Sequence, residues 1–289
     1  MPSKRLNRNG TLLGDILIHG ILLLVAVTSL YPFFYVLFMA VMPYERLVAK
    51  PVHLLPDGFT LEYFRQVLRD PNLPHAFLMS VLRTVVGTAL AVIATMLASY
   101  ALSRPRVRFG KALSILFLIP MFFSAGLIPY YVMMNAYGLT NTFWVLILPG
   151  MVSPMWFFVV KSTMQAFPQA ITESCMIDGA GQWRIFWQIV WPINLPTVAT
   201  LCLMYAMGHW NEYIMTRLLV KNNLWTAPVY LFGMINSKIQ LQGLGVGLRL
   251  EPQSYLSAVA TLLILPILVV YPLLQRYVIS GLTAGAVKG

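Results

Sequence analysis

Six stretches of this chain stay apolar for about as long as a helix needs to cross a bilayer, roughly 20 residues: 16–42, 77–102, 113–134, 142–160, 197–214 and 255–279. In hydrocarbon every backbone N–H and C=O must be satisfied within the protein, so such runs fold as helices. The expected fold is all-α, a polytopic membrane protein with about six transmembrane helices. Composition agrees: 58% of the 289 residues are hydrophobic and 10% are charged, too little polar surface to cover a water-soluble globule of this size. The first run follows Lys4, Arg5 and Arg8, as a signal peptide would. It is longer than an apolar h-region and ends without a small-residue cleavage site, so it reads as a retained anchor.

The formal charge of +11 does not point to nucleic acid, because the 20 Lys and Arg are dispersed between apolar runs. Dispersed cations suit the anionic headgroups of a membrane lipid surface. Their placement also sets orientation. Segment 103–112 carries Arg104, Arg106, Arg108 and Lys111 with no acid, which predicts a cytoplasmic location. The loop 43–76 balances Arg46, Lys50, Arg65 and Arg69 against Glu45, Asp57, Glu62 and Asp70 and has no inward bias. By parity both termini face the cytoplasm. The domain reading is a cytoplasmic tail 1–15, a transmembrane domain 16–280 and a cytoplasmic tail 281–289. Segment 161–191, between the fourth and fifth runs, falls on the cytoplasmic side as well.

Several spans carry helix breakers: Pro120, Gly126 and Pro129 in the third, Pro149, Gly150 and Pro154 in the fourth, and Pro266 in the sixth. Each proline frees a carbonyl that neighbouring protein or a water-lined cavity must satisfy. Kinking for packing and bending around a path both fit. No phosphate-binding loop is present; the tail 281–289 has glycines and Lys288 without the required spacing. Cys175 and Cys202 have no CxxC spacing and imply no metal site.

The most informative polar stretch runs from Pro168 to Pro192, PQAITESCMIDGAGQWRIFWQIVWP. Pro168 suits a first helical turn, Asp178-Gly179 is a stop signal, and a second helix is expected from Gln182 to Trp191. Trp183, Phe186, Trp187 and Val190 fall at i, i+3, i+4 and i+7, an aromatic stripe on a helix-turn-helix lying at an interface. The segment resembles the EAA motif of ABC-importer permeases: E-A-A, three residues, G, nine residues, I-x-L-P. Glu173, Gly179, Ile189 and Pro192 occupy the matching positions with all spacings kept, while Ser174 and Cys175 replace the alanines and Trp191 the leucine.

The resemblance implies that 168–192 is a coupling segment that docks on a separate ATPase subunit through Glu173, Ser174, Cys175, Asp178, Gly179, Ala180, Ile189 and Pro192. Stretches 123–130 (FSAGLIPY), 137–142 (YGLTNT), 208–213 (GHWNEY) and 271–281 (YPLLQRYVISG) are similar to the carbohydrate permeases related to the maltose importer's smaller membrane subunit, with the oligosaccharide and polysaccharide-fragment branch, alginate included, fitting best. That likeness implies a non-enzymatic permease of the bacterial inner membrane. Its partners would be a second permease in a heterodimer, two ATPase subunits and an extracytoplasmic solute-binding protein. It would bind no cofactor itself, ATP and Mg belonging to the ATPase.

Sugars are held by aromatic faces and by polar groups on their hydroxyls. Candidates along a path are Tyr130, Tyr131 and Asn135 in the third span and Tyr205, His209, Trp210 and Glu212 in the fifth. The same tyrosines and Trp210 also suit an interfacial aromatic belt, and His209 and Glu212 have the i, i+3 spacing to pair with each other. Arg83 is expected among headgroups, with contact to an acidic substrate such as a uronic-acid oligosaccharide as the alternative. An ion-coupled secondary carrier would want acids at mid-membrane, and a membrane enzyme a convergent acid, base or metal cluster. Neither pattern stands out in the sequence.

Overall fold

The computed structural model describes residues 8–49, 55–104, 107–243 and 253–286. Lys4, Arg5, Lys50 and Arg106 of the charge reading, and residues 287–289 of the C-terminal tail, lie outside them. Every regular element among the described residues is helical. The chain forms two compact units. One comprises residues 1–70 and 234–262, the other residues 71–233 and 263–289.

In the first unit, α1 (Arg8–Val41) is apolar on all sides, and its stretch Gly14–Val41 is long enough to span a bilayer. Its side chains are exposed along most of that length, as a helix facing lipid requires. Only its end is packed: Met39, Ala40 and Met42 are buried, and the Thr60 N–H donates to the Val41 carbonyl at 2.7 Å. The loop expected at 43–76 contains two short helices, α2 (Tyr44–Ala49) and α3 (Glu62–Arg69). Tyr63 of α3 accepts the Tyr44 N–H at 3.1 Å. Tyr255 donates to Asp70 at 3.2 Å.

The second unit is built around α4 (Leu73–Ser103), a single unbroken span that starts with proline in its first turn and ends where Arg104 turns extended before Pro105. The expected third span is two short helices, α5 (Gly110–Phe122) and α6 (Leu127–Ala136). Between them the backbone unwinds, and Gly126 takes φ 82°, a region closed to residues with a Cβ. The fourth is also divided: two 3-10 turns over Phe143–Gly150 meet α7 (Pro154–Gln165) at 49°. A hairpin of α8 (Gln169–Ile177) and α9 (Gln182–Ile193) leads into α10 (Leu195–Asn211), with an 81° bend between α9 and α10. The expected fifth span, 197–214, stops three residues early at Asn211, and a new short helix, α11 (Ile214–Leu219), comes after it. Two further helices complete the described chain, α12 (Ala227–Gly243) and α13 (Gln253–Ala286). Helix α12 was not anticipated, because its second half turns polar. Helix α13 runs unbroken through Pro266 and Pro272.

Helix α4 packs along α10 and α7. Gly87 and Ala91 let α10 approach, and the main core gathers Ala91, Val92, Met96, Tyr100, Val160, Met164, Ile185, Phe186, Val190, Val198, Leu201 and Tyr205. Phe157 is fully buried and stacks on Phe117 with ring centroids 4.3 Å apart. Truncating Phe157 to Ala is expected to cost about 3–5 kcal/mol, while Phe122→Ala on the exposed end of α5 stays within about 0.5 kcal/mol. Denaturant midpoints of the purified protein in detergent measure both.

Candidate functional site

The hairpin α8–α9 owes its sharp turn to one residue. Gly179 lies in the left-handed region at φ 80°, the Ala180 N–H donates back to the Cys175 carbonyl at 2.9 Å, and the Gly179 N–H donates to Met176 at 3.1 Å. This pair of bonds is a Schellman cap, which satisfies the last carbonyls of α8. The cap sorts the motif residues onto two faces. Glu173, Ser174, Asp178, Gly179 and Pro192 are exposed, while Cys175, Ala180 and Ile189 are half-buried. Cys175 and Ala180 rest against the main core.

The second arm differs from its expected form. It does not stop at Trp191, and its middle, Phe186–Val190, is a π-helical turn in which the Trp191 N–H reaches the Phe186 carbonyl. Pro192 explains this: it offers no N–H to the Gln188 carbonyl and its ring crowds that oxygen, so the preceding turn widens. The aromatic residues of the expected stripe stay in ring contact, Trp183 with Phe186 and Trp187, but differ in burial. Phe186 and Val190 are buried, Trp187 is half-buried and Trp183 is 65% exposed. Trp183, Trp187 and Trp191 form a ladder with centroid spacings of 5.9 and 4.9 Å.

A second group of polar residues sits where α10 gives way to α11. Arg83 of α4, only 5% exposed, contacts the Glu212 carboxylate at 3.0 Å and donates to Thr216 Oγ1 at 2.6 Å and to the Glu212 carbonyl at 3.2 Å. The carboxylate also accepts the backbone N–H groups of Met215 (2.6 Å) and Thr216 (3.2 Å) and the Thr216 hydroxyl (2.6 Å). Glu212 thus caps the first turn of α11 while it neutralises Arg83. Headgroup contact for Arg83 is ruled out by this burial. His209 does not pair with Glu212 either. Its ring lies on Gly87, where an added Cβ would fall 2.7 Å from Nε2.

The remaining path candidates separate. Tyr205 is buried, bonded to Thr95 Oγ1 at 2.7 Å and accepting the Ser153 N–H at 3.0 Å. Trp210 is buried too, its Nε1 donating to the Leu263 carbonyl at 3.2 Å and its ring edge-on to Phe77. Neither belongs to an interfacial belt. Tyr130 is half-buried against a smaller cluster that includes Met134 and Val145. Tyr131 and Asn135 are exposed on α6, with Asn135 Oδ1 accepting the Thr140 hydroxyl at 3.1 Å. Sequence reasoning missed Ser80, Thr95, Ser99 and Thr216. The signal was available: Ser80, Thr84, Thr88, Thr95 and Ser99 recur at helical spacing as a polar stripe along an apolar span.

The family model for the inner membrane component of binding-protein-dependent transport systems matches residues 84–283, from the middle of α4 almost to the end of α13. The chain belongs to that family. As a permease of this kind it is 34% identical over 281 residues to the polygalacturonan/rhamnogalacturonan transport system permease protein YtcP of Bacillus subtilis (strain 168), covering 95% of this chain and 98% of that one. Protein LplC of the same organism is 30% identical over 269 residues, covering 92% and 91%. Among solved structures, a bacterial ABC transporter involved in the import of the acidic polysaccharide alginate superposes with a TM-score of 0.85 over 96% of this permease and 100% of that chain, at 23% identity, a likeness of fold.

Removing Glu212 leaves the Arg83 guanidinium buried without its counter-charge, whereas removing Arg83 leaves a half-buried carboxylate still bonded to the Met215 and Thr216 N–H groups. Glu212→Gln is expected to cost this permease about 3–5 kcal/mol, Arg83→Met less, and the two together appreciably less than the sum of the single changes. Thermal unfolding of the four purified forms completes the double-mutant cycle.

Proposed function

We propose that this permease forms one half of the membrane channel of an ATP-driven importer for an oligosaccharide, and that the α8–α9 hairpin is its handle for an ATPase subunit. The observation that carries the reading is the hairpin itself. An exposed carboxylate at Glu173 and a left-handed Gly179 stand at the motif's positions, on a capped turn whose inner face is fastened to the core. An exposed carboxylate is free to form a charge-assisted pair with a basic group in a partner's cleft. The substrate class is that of relatives named for polygalacturonan or rhamnogalacturonan, galactooligosaccharides and arabinooligosaccharides.

In this reading both termini and the hairpin face the cytoplasm, with tails 1–15 and 281–289 flanking a permease domain 16–280 of six crossings. ATP and Mg bind the ATPase subunits, and this chain does no chemistry. A solute-binding protein delivers the sugar from outside. A second, non-identical permease covers the remaining faces. The unwound stretch between α5 and α6 supports such a neighbour or a water-filled path. Phe122 and Phe123 are exposed there, and lipid does not tolerate irregular backbone unless protein or water covers it. Tyr130, Tyr131 and Asn135 come directly after it on α6 and are the first residues to test for sugar contact, with Tyr205, His209, Trp210 and Glu212 acting behind them through packing.

ATP-driven closure of the ATPase pair would draw two hairpins together and rock the spans between inward-open and outward-open states. Gly179→Val puts a β-branched residue at φ 80°, so co-purification with the ATPase subunit is expected to fall while the permease still inserts. Retention of the partner and of full ATP hydrolysis in that variant would sink the docking assignment. Orientation is checked separately: reporters fused after Lys111 should be active only in their cytoplasmic form, and an active extracytoplasmic reporter there would overturn it.

A further inference from the structure

The last turn of α4 touches both arms of the hairpin at once. Tyr100, one turn before the helix ends, donates its hydroxyl to Gln182 Oε1 at 2.9 Å and packs its ring on Phe186 at 5.3 Å, so it holds α9 by a bond and by a buried aromatic contact. Four residues on, the Arg104 guanidinium lies over the same tyrosine ring, 4.4 Å from its centroid, and donates from Nη1 to Thr172 Oγ1 at 3.2 Å. Thr172 is buried on the inner face of α8, directly beside the exposed Glu173. Gln182 closes the ring by reaching from α9 back to Met176 of α8 at 3.2 Å. Three elements are tied in a closed circuit, and two side chains of α4 are common to it.

We propose that Tyr100 and Arg104 form a clasp that makes the hairpin and α4 move as one rigid body, so that load applied at Glu173 enters the span directly. The proposal rests on the docking reading of the hairpin. The geometry suits force transmission better than simple anchoring. A charge placed only to orient the chain needs no partners, yet Arg104 is stacked on a ring and bonded to the residue adjoining the docking carboxylate. A hydrophobic anchor alone would permit sliding, because apolar contacts are non-directional. The tyrosine and guanidinium bonds fix direction, and a planar guanidinium stacked on an aromatic ring cannot be replaced by an ammonium without losing that geometry. Nearer its start α4 carries Arg83, bonded across to Glu212 and Thr216, so a displacement received at the clasp is delivered where α10 breaks into α11. Tyr100 and Arg104 are positioning residues in this scheme.

The test uses the assembled importer, with this chain, its partner permease and the ATPase subunits, reconstituted in lipid. Spin labels are carried on unnatural amino acids at Val85 on α4 and Ile177 at the hairpin tip, both exposed, leaving the cysteines untouched. In the otherwise unaltered chain the inter-label distance is expected to be a single narrow population, unchanged between the nucleotide-free and the vanadate-trapped ATP states. With Tyr100→Phe and Arg104→Lys together, a second, broader population is expected, with the ATPase subunits still bound. The lysine keeps the positive charge, so orientation in the membrane is preserved and cannot account for the change. A distance that shifts on ATP trapping in the unaltered clasp, or a double variant that keeps one narrow population, overturns the clasp. Failure of the ATPase to co-purify with the unaltered chain overturns the docking reading instead, and is seen before any distance is measured.

Discussion

Lipid offers no hydrogen bonds, and the whole second unit is arranged around that deficit. An unbroken span such as α4 satisfies its own backbone; the spans beside it do not, because proline and glycine interrupt them. The polar side chains of α4 meet these interruptions one after another. Ser80 accepts the Ala227 N–H in the first turn of α12 at 2.8 Å. Arg83 serves the carbonyl of Glu212 at the end of α10. Thr95, through Tyr205, supports the Ser153 N–H ahead of α7, and Ser99 donates to the Phe157 carbonyl within it at 3.0 Å. A hydroxyl facing hydrocarbon would cost free energy, whereas one aimed at a broken helix repairs it. The unbroken helix is what allows its neighbours to be broken.

That division of labour gives the fold a mechanical character. Broken helices are natural hinges, since the residues at a break absorb changes of φ and ψ that a continuous helix resists. Here the breaks at 123–126, 150–154, 194 and 212–213 all lie beside or after elements packed on α4. On the docking role proposed for it, the hairpin would add the external attachment. Its Schellman turn presents Glu173 outward while Cys175 and Ala180 seat it on the core, so one face is available to a partner and the other is committed to the permease. A handle that was exposed on both faces would swing without moving anything.

Much of this was legible in the sequence, for reasons that differ by residue. The apolar runs show because about 20 apolar residues in a row have few alternatives to a membrane helix, and among the described residues three of them are single helices long enough to cross, over 14–41, 73–103 and 253–270. The turn at Gly179 shows because the Asp178-Gly179 stop signal acts locally, through a left-handed residue that caps α8. What was hidden depends on partners far apart in the chain. Arg83 reads as a headgroup residue when considered alone, and its burial depends on Glu212, 129 positions away. A period of 3.6 anticipates a regular helix through Trp191, whereas Pro192 imposes a π turn over Phe186–Val190. Pro120, Gly126 and Pro266 are all breakers in the sequence, yet only the structure shows that the third span divides at 123–126, beside Gly126, while α5 runs through Pro120 and α13 through Pro266. A proline states that a hydrogen bond is missing; the surroundings decide whether the helix ends there.

The Arg83–Glu212 pair poses the remaining question of why a buried ion pair is kept where apolar packing is often as stable. Its geometry supplies a reason. Glu212 accepts two backbone N–H groups at the start of α11, and Arg83 donates to the carbonyl that α10 leaves open at its end, so the pair closes both sides of the same helix break. An apolar replacement would have no atoms to offer either side. The charges are thus the means of holding an interruption within an apolar span, and each neutralises the other so that neither stands alone. The buried charge and the bent helix are therefore one feature, and a permease that dispensed with the first would have to straighten the second.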